Sequence, residues 1–405
     1  MRPHPGLVIF LLAAVLGLFF TGWSTLDFVQ HLDRQTHSLH CSFLPGIAQT
    51  SVDADSGCHV ALMSPYSSWF RWYVWGGIPA ALAGIGVFAF LVFRGLELWL
   101  AGKQRDPGAA LFLLIATLVP VVTSIVYAGI ALMVLDAVCK LCVGIYLSSL
   151  GTMIGAAWLW LSASRAHDED EDPSTGPLGW LLGVGEGVAF VALPVWAYLA
   201  MMPDFTQFVG TCGTLEKPED PNGILVSLAT PGGEPSSAEK VVAIEVLDPL
   251  CPSCRGFEDR LEKSGLGSQL DRKILLFPLD DTCNWNVSYA VHPGACVVSE
   301  AVLCAGDRAD QVLNWAFVNQ ANIRDRAKAD PKAAEQVVIE AFPELQGCVG
   351  SEKSRQRLNR SLRWAVANHL PVLTPQLYVN GLKLCDEDVD LGLDWTLTRL
   401  IEEAR

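Results

Sequence analysis

Two pairs of cysteines with CxxC spacing stand in very different surroundings. Cys139 and Cys142 lie at one end of a long apolar segment, whereas Cys251 and Cys254 follow a buried strand pattern and open a charged helical one. Cysteine pairs at this spacing exchange electrons with other thiols through mixed disulfides. One dithiol at a membrane surface and another in a soluble domain therefore predict an electron path. It runs from soluble thiols to an acceptor dissolved in the bilayer.

The chain is too apolar for a purely soluble protein. Its 405 residues are 51% hydrophobic and have a mean hydropathy of +0.33. No small-residue cleavage site follows the first apolar stretch, which favours a membrane span over a cleaved signal peptide there. We expect five stretches to cross a bilayer: 7–24, 70–93, 109–135, 139–162 and 178–202.

Basic residues predict how these spans are oriented. They cluster at one set of span ends: Arg2, Arg94, Lys103, Arg105 and Arg165. The positive-inside rule places that set in the cytoplasm, so the loop 25–69 and the residues after 203 lie outside. We therefore expect an integral protein of the bacterial inner membrane, in contact with lipid, whose soluble domain is extracytoplasmic.

Charge and cysteine content narrow the function further. The net charge of −15 argues against a nucleic-acid partner. On the predicted topology none of the 12 cysteines is cytoplasmic, which fits an oxidising compartment.

The order of patterns predicts a multi-domain protein. We expect an all-α transmembrane bundle of five spans with a four-helix core over 1–205, a Pro-, Gly- and Ser-rich linker over 206–238, and an α/β thioredoxin-like domain over 239–405. The patterns predict these elements after residue 205: strands at 224–228, 241–247, 273–278 and 376–379, helices at 253–264 and 390–403, a mostly helical region at 295–365, and a hairpin turn at Asn380-Gly381.

The soluble CPSC motif has the context of a redox site. Cys251 at the start of a helix is the expected nucleophile, because the helix dipole and free N–H groups favour a thiolate there, and Cys254 would resolve mixed disulfides. Thr374-Pro375 precedes a strand, where this fold places a cis-proline opposite the dithiol. A zinc site would need a second CxxC or a histidine pair at suitable spacing, so no metal is expected. The stretch LDPLCPSCRGFE resembles the active sites of periplasmic thiol oxidases of the thioredoxin superfamily.

The membrane half carries a second resemblance. The loop cysteines Cys41 and Cys58 share a membrane face with CKLC, and the stretches CHVALMSPYS and CKLCVGIY resemble the vitamin K epoxide reductase family. The match includes Ser64, six residues after Cys58, and Tyr146, four residues after the last cysteine of CKLC. The resemblance implies that Tyr146 hydrogen-bonds a quinone oxygen and that Ser64 helps to order the site.

The resemblance also implies a relay of thiol pairs. Cys41 receives electrons from the soluble domain through a mixed disulfide with Cys251, and Cys58 delivers them to Cys139. Cys142 faces the quinone, either ubiquinone or menaquinone. The chain departs from the family in two respects: residues 42–57 form a longer separation than usual, and the family's asparagine in the second span is missing, since the first asparagine is Asn222.

Six further cysteines are candidates for structural disulfides. The resemblance to fused bacterial members of the family implies the pair Cys283–Cys296. A Cys304–Cys348 bridge would tie two helices together, and Cys212–Cys385 is the pair that then remains. We interpret His292, beside Pro293, as a surface or capping residue rather than a catalytic or metal-binding one.

These patterns predict a quinone-linked thiol oxidase that forms disulfides in exported cysteine-containing proteins. One alternative is reduction of vitamin K epoxide or quinone as the main role, against which the missing asparagine counts. The other is a membrane-tethered isomerase or chaperone, for which the membrane cysteines would be dispensable.

Overall fold

The computed structural model describes residues 3–35, 57–166, 176–228, 240–330 and 332–405. It divides into two compact units, Met1–Pro203 and Asp204–Arg405.

The first unit is helical. Among its described residues, five helices are long and apolar enough to cross a membrane, by length and composition. Its helices, with a short one in the loop after the first, are α1 (Pro5–Gln30), α2 (Gly57–Met63), α3 (Ala80–Leu100), α4 (Pro107–Met133), α5 (Lys140–Arg165) and α6 (Pro177–Met201).

The second predicted span starts too early in the sequence. Instead of a helix from residue 70, the structure has a two-stranded antiparallel ribbon, β1 (Ser68–Trp69) and β2 (Ile78–Pro79), and α3 begins only at Ala80. Gly76 and Gly77 both have positive φ and close the turn between the strands, which a helix would not permit. The loop is rich in aromatic residues and directly precedes the apolar helix, so its sequence resembles the start of a span.

Four helices form the core of this unit. Helices α1, α3, α4 and α5 pack on one another, while α6 packs along α3. Small residues permit the close approach of α1 and α5: a Cβ on Gly155 would lie 2.5 Å from the backbone nitrogen of Phe10. The fully buried side chains between the helices include Leu7, Phe10, Phe88, Leu91, Leu113 and Leu159.

The second unit is built on a five-stranded mixed sheet. The strand order is β3-β5-β4-β6-β7, with β4 and β5 parallel and the remaining pairs antiparallel. This order is that of a thioredoxin-like fold. The strands are β3 (Val226–Ser227), β4 (Val241–Leu247), β5 (Leu270–Leu276), β6 (Gln376–Val379) and β7 (Leu382–Lys383).

Helices cover this sheet and complete the unit. The CPSC motif opens α7 directly after β4, and four helices are inserted between β5 and β6. Asn380 and Gly381 both have positive φ and form the tight turn between β6 and β7. The helices are α7 (Pro252–Ser264), α8 (Ala295–Ala305), α9 (Ala309–Ala329), α10 (Ala333–Ala341), α11 (Glu352–Ala367) and α12 (Leu393–Glu403).

The segment predicted as a linker over 206–238 differs from the structure in its first part. Thr214 forms a β-bridge with Leu382, and β3 is an edge strand of the sheet. Residues 206–228 are therefore part of the second unit. Proline and glycine suggested a linker, yet here they shape turns that return the chain to the sheet.

Three disulfides brace the second unit. Cys212–Cys385 ties the segment before β3 to the end of β7, Cys283–Cys296 closes the loop before α8, and Cys304–Cys348 joins the end of α8 to the segment before α11. These are the three pairs named from the sequence. Glu387 lies beside Cys212 and Cys385 at metal-ligand distance, but the disulfide removes both thiolates that a metal would need.

Candidate functional site

The membrane CxxC sits at the start of α5. Cys139 is the N-cap residue, and its sulfur accepts a hydrogen bond from the backbone N–H of Cys142 at 3.5 Å. Both cysteines are free thiols. A helix N-terminus presents unpaired N–H groups, so this position favours negative charge on the sulfur of Cys139.

The loop cysteine Cys58 meets this dithiol. It lies in α2, is 7% exposed and packs in one buried cluster with Cys139 and Leu141, against which Cys142 also packs. Cys58 itself takes part in a disulfide. Its predicted relay partner, Cys41, lies outside the described residues.

A glycine makes the approach of α2 to the membrane dithiol possible. A Cβ added to Gly57 would lie 2.4 Å from the carbonyl oxygen of Val138, the residue before Cys139. Backbone atoms surround this point, so no side-chain rotation would relieve the clash. Gly57 therefore sets how closely Cys58 approaches Cys139.

These cysteines open onto an apolar cavity of about 390 Å³. Its wall includes all three sulfur-bearing residues of the cluster, together with Tyr146 and Ser64. Such a volume lies within the range of small-molecule binding sites, which are apolar with a few polar groups. The structure thus brings together every predicted membrane-site residue that it describes.

Ser64 orders the loop beside the cavity. Its hydroxyl donates to the carbonyl of Ala61 at 2.8 Å, and its own carbonyl accepts from the guanidinium of Arg71 at 2.8 Å. Arg71 is itself buried, so the turn after α2 is fixed by a charge-assisted hydrogen bond.

The soluble dithiol sits against the predicted cis-proline loop. The peptide bond between Thr374 and Pro375 is cis, and the Cys251 thiol donates to the carbonyl of Thr374 at 3.6 Å. In the described part of the chain, the buried hydroxyl of Thr374 has no hydrogen-bond partner. It is therefore available to donate to a thiolate on Cys251.

The two soluble cysteines differ in their electrostatics. Cys251 is 5% exposed and Cys254 is fully buried. A hydrogen bond from Cys254, with further support from Thr374 and against the effect of burial, lowers the pKa of Cys251 to about 6. Burial raises the pKa of Cys254 well above its usual range. Cys251 is therefore the thiolate at neutral pH, and Cys254 keeps its proton.

A buried carboxyl lies in the central strand next to the CPSC helix. Glu245 in β4 is 1% exposed and accepts from Arg272 of β5 at 2.7 Å, and Arg272 also pairs with Glu258 of α7. Burial, with the nearby charge of Glu258, raises the pKa of Glu245 well above its usual range in spite of Arg272. An acidic residue inside the buried run of β4 was the sequence signal for this group.

His292 is not the surface residue that the sequence suggested. It is 7% exposed, and its Nδ1 lies 2.7 Å from the carboxylate of Asp248, three residues before Cys251. Asp248 is fully buried and also accepts from the backbone N–H groups of Leu250 and Leu279. The histidine and its partner are 44 residues apart in sequence, so local pattern did not reveal the pair.

Comparison with known protein families decides the identity of the membrane half. Residues 8–157 match the model of the vitamin K epoxide reductase family. These residues form a domain of that family. No curated protein matches the chain. The protein is an integral membrane redox enzyme in which a vitamin K epoxide reductase domain is followed by a thioredoxin-like α/β domain.

Two residues of the vitamin K epoxide reductase domain escaped the sequence analysis. Tyr127 of α4 and Asp27 of α1 both line the cavity that holds Cys142. Polar and ionisable residues within a membrane span are functional candidates, and the sequence carries this signal for Tyr127, which lies inside the span predicted at 109–135. Asp27 was missed because the first span was predicted to end at residue 24, whereas α1 extends to Gln30.

Proposed function

We propose that this protein is a quinone-linked thiol oxidase that forms disulfides in exported proteins. The observation that carries the proposal is the meeting of Cys58, Cys139 and Cys142 at one apolar cavity inside a vitamin K epoxide reductase domain. The same chain supplies a thioredoxin-like dithiol whose outer cysteine favours the thiolate. Basic residues at the opposite span ends support an extracytoplasmic position for the soluble domain, in the bacterial inner membrane.

The first exchange takes place at the soluble dithiol. A substrate thiolate attacks Cys251 in the Cys251–Cys254 disulfide, and Cys254 leaves with the electron pair. A second substrate thiolate then displaces Cys251, so the substrate gains a disulfide and the CPSC pair gains two electrons. The low pKa of Cys251 makes it the better leaving group, which favours oxidation of the substrate.

The next exchanges carry the same two electrons into the membrane domain. Cys251 attacks the loop disulfide at Cys41, Cys58 leaves, and Cys254 closes the CPSC disulfide again. Cys58 then attacks Cys139 of the oxidised membrane pair, which releases Cys142 as a thiolate, and Cys41 restores the loop disulfide. Each step breaks one disulfide and forms one, so electrons and thiols balance.

The cavity fits the acceptor that this relay needs. A bound quinone supplies two-electron, two-proton acceptor chemistry. Apolar walls would hold its ring, Cys142 presents a thiol, and the hydroxyls of Tyr127 and Tyr146 provide hydrogen-bond donors on α4 and α5. Asp27 adds a carboxylate to the wall, where it can hold or pass a proton.

The test measures the loss of peptide thiols and the formation of quinol in the same reaction. Purified full-length protein in detergent receives a reduced dithiol peptide and either ubiquinone or menaquinone. We expect one quinol for each peptide disulfide, and no sustained oxidation without quinone. Reshuffling of a scrambled disulfide protein without quinol formation would identify an isomerase instead, and turnover confined to vitamin K epoxide would identify an epoxide reductase.

Replacing Tyr127 by phenylalanine should weaken quinone binding specifically. The substitution removes one donor from a largely apolar cavity, so we expect the KM for quinone to rise about tenfold, the usual scale for one hydrogen bond to a ligand. Reduction of the Cys251–Cys254 disulfide by peptide should keep its rate. The measurement is steady-state kinetics with quinone varied, and an unchanged KM would remove Tyr127 from the binding site.

A further inference from the structure

The Asp248–His292 pair takes no part in the relay described above, although it adjoins the CPSC motif. The carboxylate of Asp248 receives three hydrogen bonds of 2.7 Å, from His292 and from two backbone N–H groups. All three donors converge on one fully buried carboxylate. Its negative charge lies three residues before the nucleophilic cysteine and acts on it.

This charge opposes thiolate formation next to it. The backbone carbonyl of Asp248 accepts from the N–H of Cys251 at 3.1 Å, so carboxylate and thiol share one tight turn. The negative charge of Asp248 acts to raise the pKa of Cys251. A cation beside Asp248 would offset this effect and add to the hydrogen bonds from Cys254 and Thr374 that lower the pKa of Cys251.

The imidazole of His292 stands where that cation is needed. Nδ1 donates to Asp248, and in the described part of the chain no hydrogen bond engages Nε2. Burial acts to lower the pKa of His292, but the hydrogen bond and charge of Asp248 and the charge of Cys251 raise it overall, against Arg324 of α9. The charged and titratable groups around the imidazole are Asp248 at the end of β4, Cys251 at the start of α7 and Arg324 of α9.

We propose that His292 is a positioning residue of the soluble redox site, which as an imidazolium neutralises Asp248 and so permits a thiolate on Cys251. Because a stabilised thiolate stabilises the reduced dithiol, His292 makes the CPSC disulfide more oxidising. The two residues between the cysteines of the motif, Pro252 and Ser253, carry no charge. The positive charge comes instead from His292, in the loop after β5. This deepens the proposed function, since it sets the direction in which the exchange runs.

The loop that carries His292 is built to hold it in place. The backbone N–H groups of Val291 and His292 both donate to the carbonyl of Leu279, whose own N–H donates to Asp248. Asp280 accepts from the N–H of Gly294 at 2.8 Å, and the Cys283–Cys296 disulfide closes the loop. The imidazole is thus fixed from both sides.

The first test uses two variants of the full-length protein in detergent. His292→Gln keeps a donor for Asp248 but removes the charge. Alkylation of Cys251, followed by mass spectrometry of its peptide, should then require a higher pH. The equilibrium constant for oxidising glutathione should fall roughly tenfold, the effect of one compensating charge at a partly buried site. Melting temperatures check that both proteins fold.

The double variant Asp248→Asn/His292→Gln separates charge from structural damage. With both charges gone, the alkylation profile of Cys251 should return toward that of the wild type. An unchanged profile in His292→Gln, or equal shifts in the single and double variants, would overturn the proposal. Neither readout needs quinone or peptide, so a failure here is distinct from a failure of the proposed function.

The wild-type protein gives a second test that needs no substitution. Coupling between two groups is reciprocal, so a thiolate on Cys251 must favour the proton on His292 as much as the imidazolium favours the thiolate. NMR of histidine-labelled protein should therefore show His292 titrating at a higher pH in the reduced protein than in the oxidised one. Equal titration in both redox states would overturn the proposal.

Discussion

Quinone-dependent oxidation of a reduced peptide should stop when Cys142 is replaced by alanine. Cys142 is the free thiol one helical turn beyond Cys139, on the wall of the apolar cavity. Without it, Cys139 cannot form the disulfide that Cys58 attacks, so electrons cannot pass from the loop pair to the quinone. We expect turnover to fall by at least about 10³-fold, the scale on which loss of a covalent nucleophile acts.

The same variant should retain the chemistry upstream of the block. The CPSC disulfide and the loop disulfide both lie upstream of the block and can together convert about two equivalents of peptide, so a rapid burst should remain while steady-state turnover disappears. Val143→Ala is the matched control, because Val143 is the next residue in α5 and is not part of the cavity wall. Sustained turnover in Cys142→Ala would mean that electrons leave the protein elsewhere.

Much of the fold could be predicted because burial imposes regular patterns. The strands at 241–247 and 376–379 have the predicted bounds, because both are almost entirely buried and are flanked by turn residues. Strand β5 begins at Leu270 rather than at residue 273, because the charged residues at its start, Asp271 and Arg272, are typical of a loop. The ends of elements depend on tertiary neighbours, which local sequence does not contain.

The candidate site could be predicted where its residues form a motif. CxxC spacing and a position at the start of a helix were enough to identify four of its residues: Cys139, Cys142, Cys251 and Cys254. Partners assembled by packing do not: Asp248 meets His292 only after β5 and its following loop return to the end of β4. Tyr127 likewise joins the cavity only because α4 packs against α5.

A glycine next to Cys58 should control the rate at which electrons enter the membrane dithiol. In Gly57→Ala the new Cβ would lie 2.4 Å from the Val138 carbonyl oxygen, so α2 must move away from the backbone that leads into Cys139. Disulfide exchange requires an aligned approach of the attacking sulfur. We therefore expect turnover to fall about 10²-fold, the scale for a misplacement of roughly 1 Å.

The electron-transfer step that becomes slow in Gly57→Ala distinguishes a displaced α2 from a general loss of structure. Gly129→Ala is the matched control, because Gly129 lies within α4 of the same domain and a Cβ there meets nothing within 4 Å. Protein whose membrane pair has been reduced chemically bypasses the exchange at Cys58. Gly57→Ala should then pass electrons to quinone at the wild-type rate, although its steady-state turnover is slow. Equal slowing of quinone reduction and of steady-state turnover would show that Gly57 supports the cavity rather than the approach of Cys58. Wild-type rates for quinone reduction and for steady-state turnover would mean that α2 moves during the reaction and does not need the close packing.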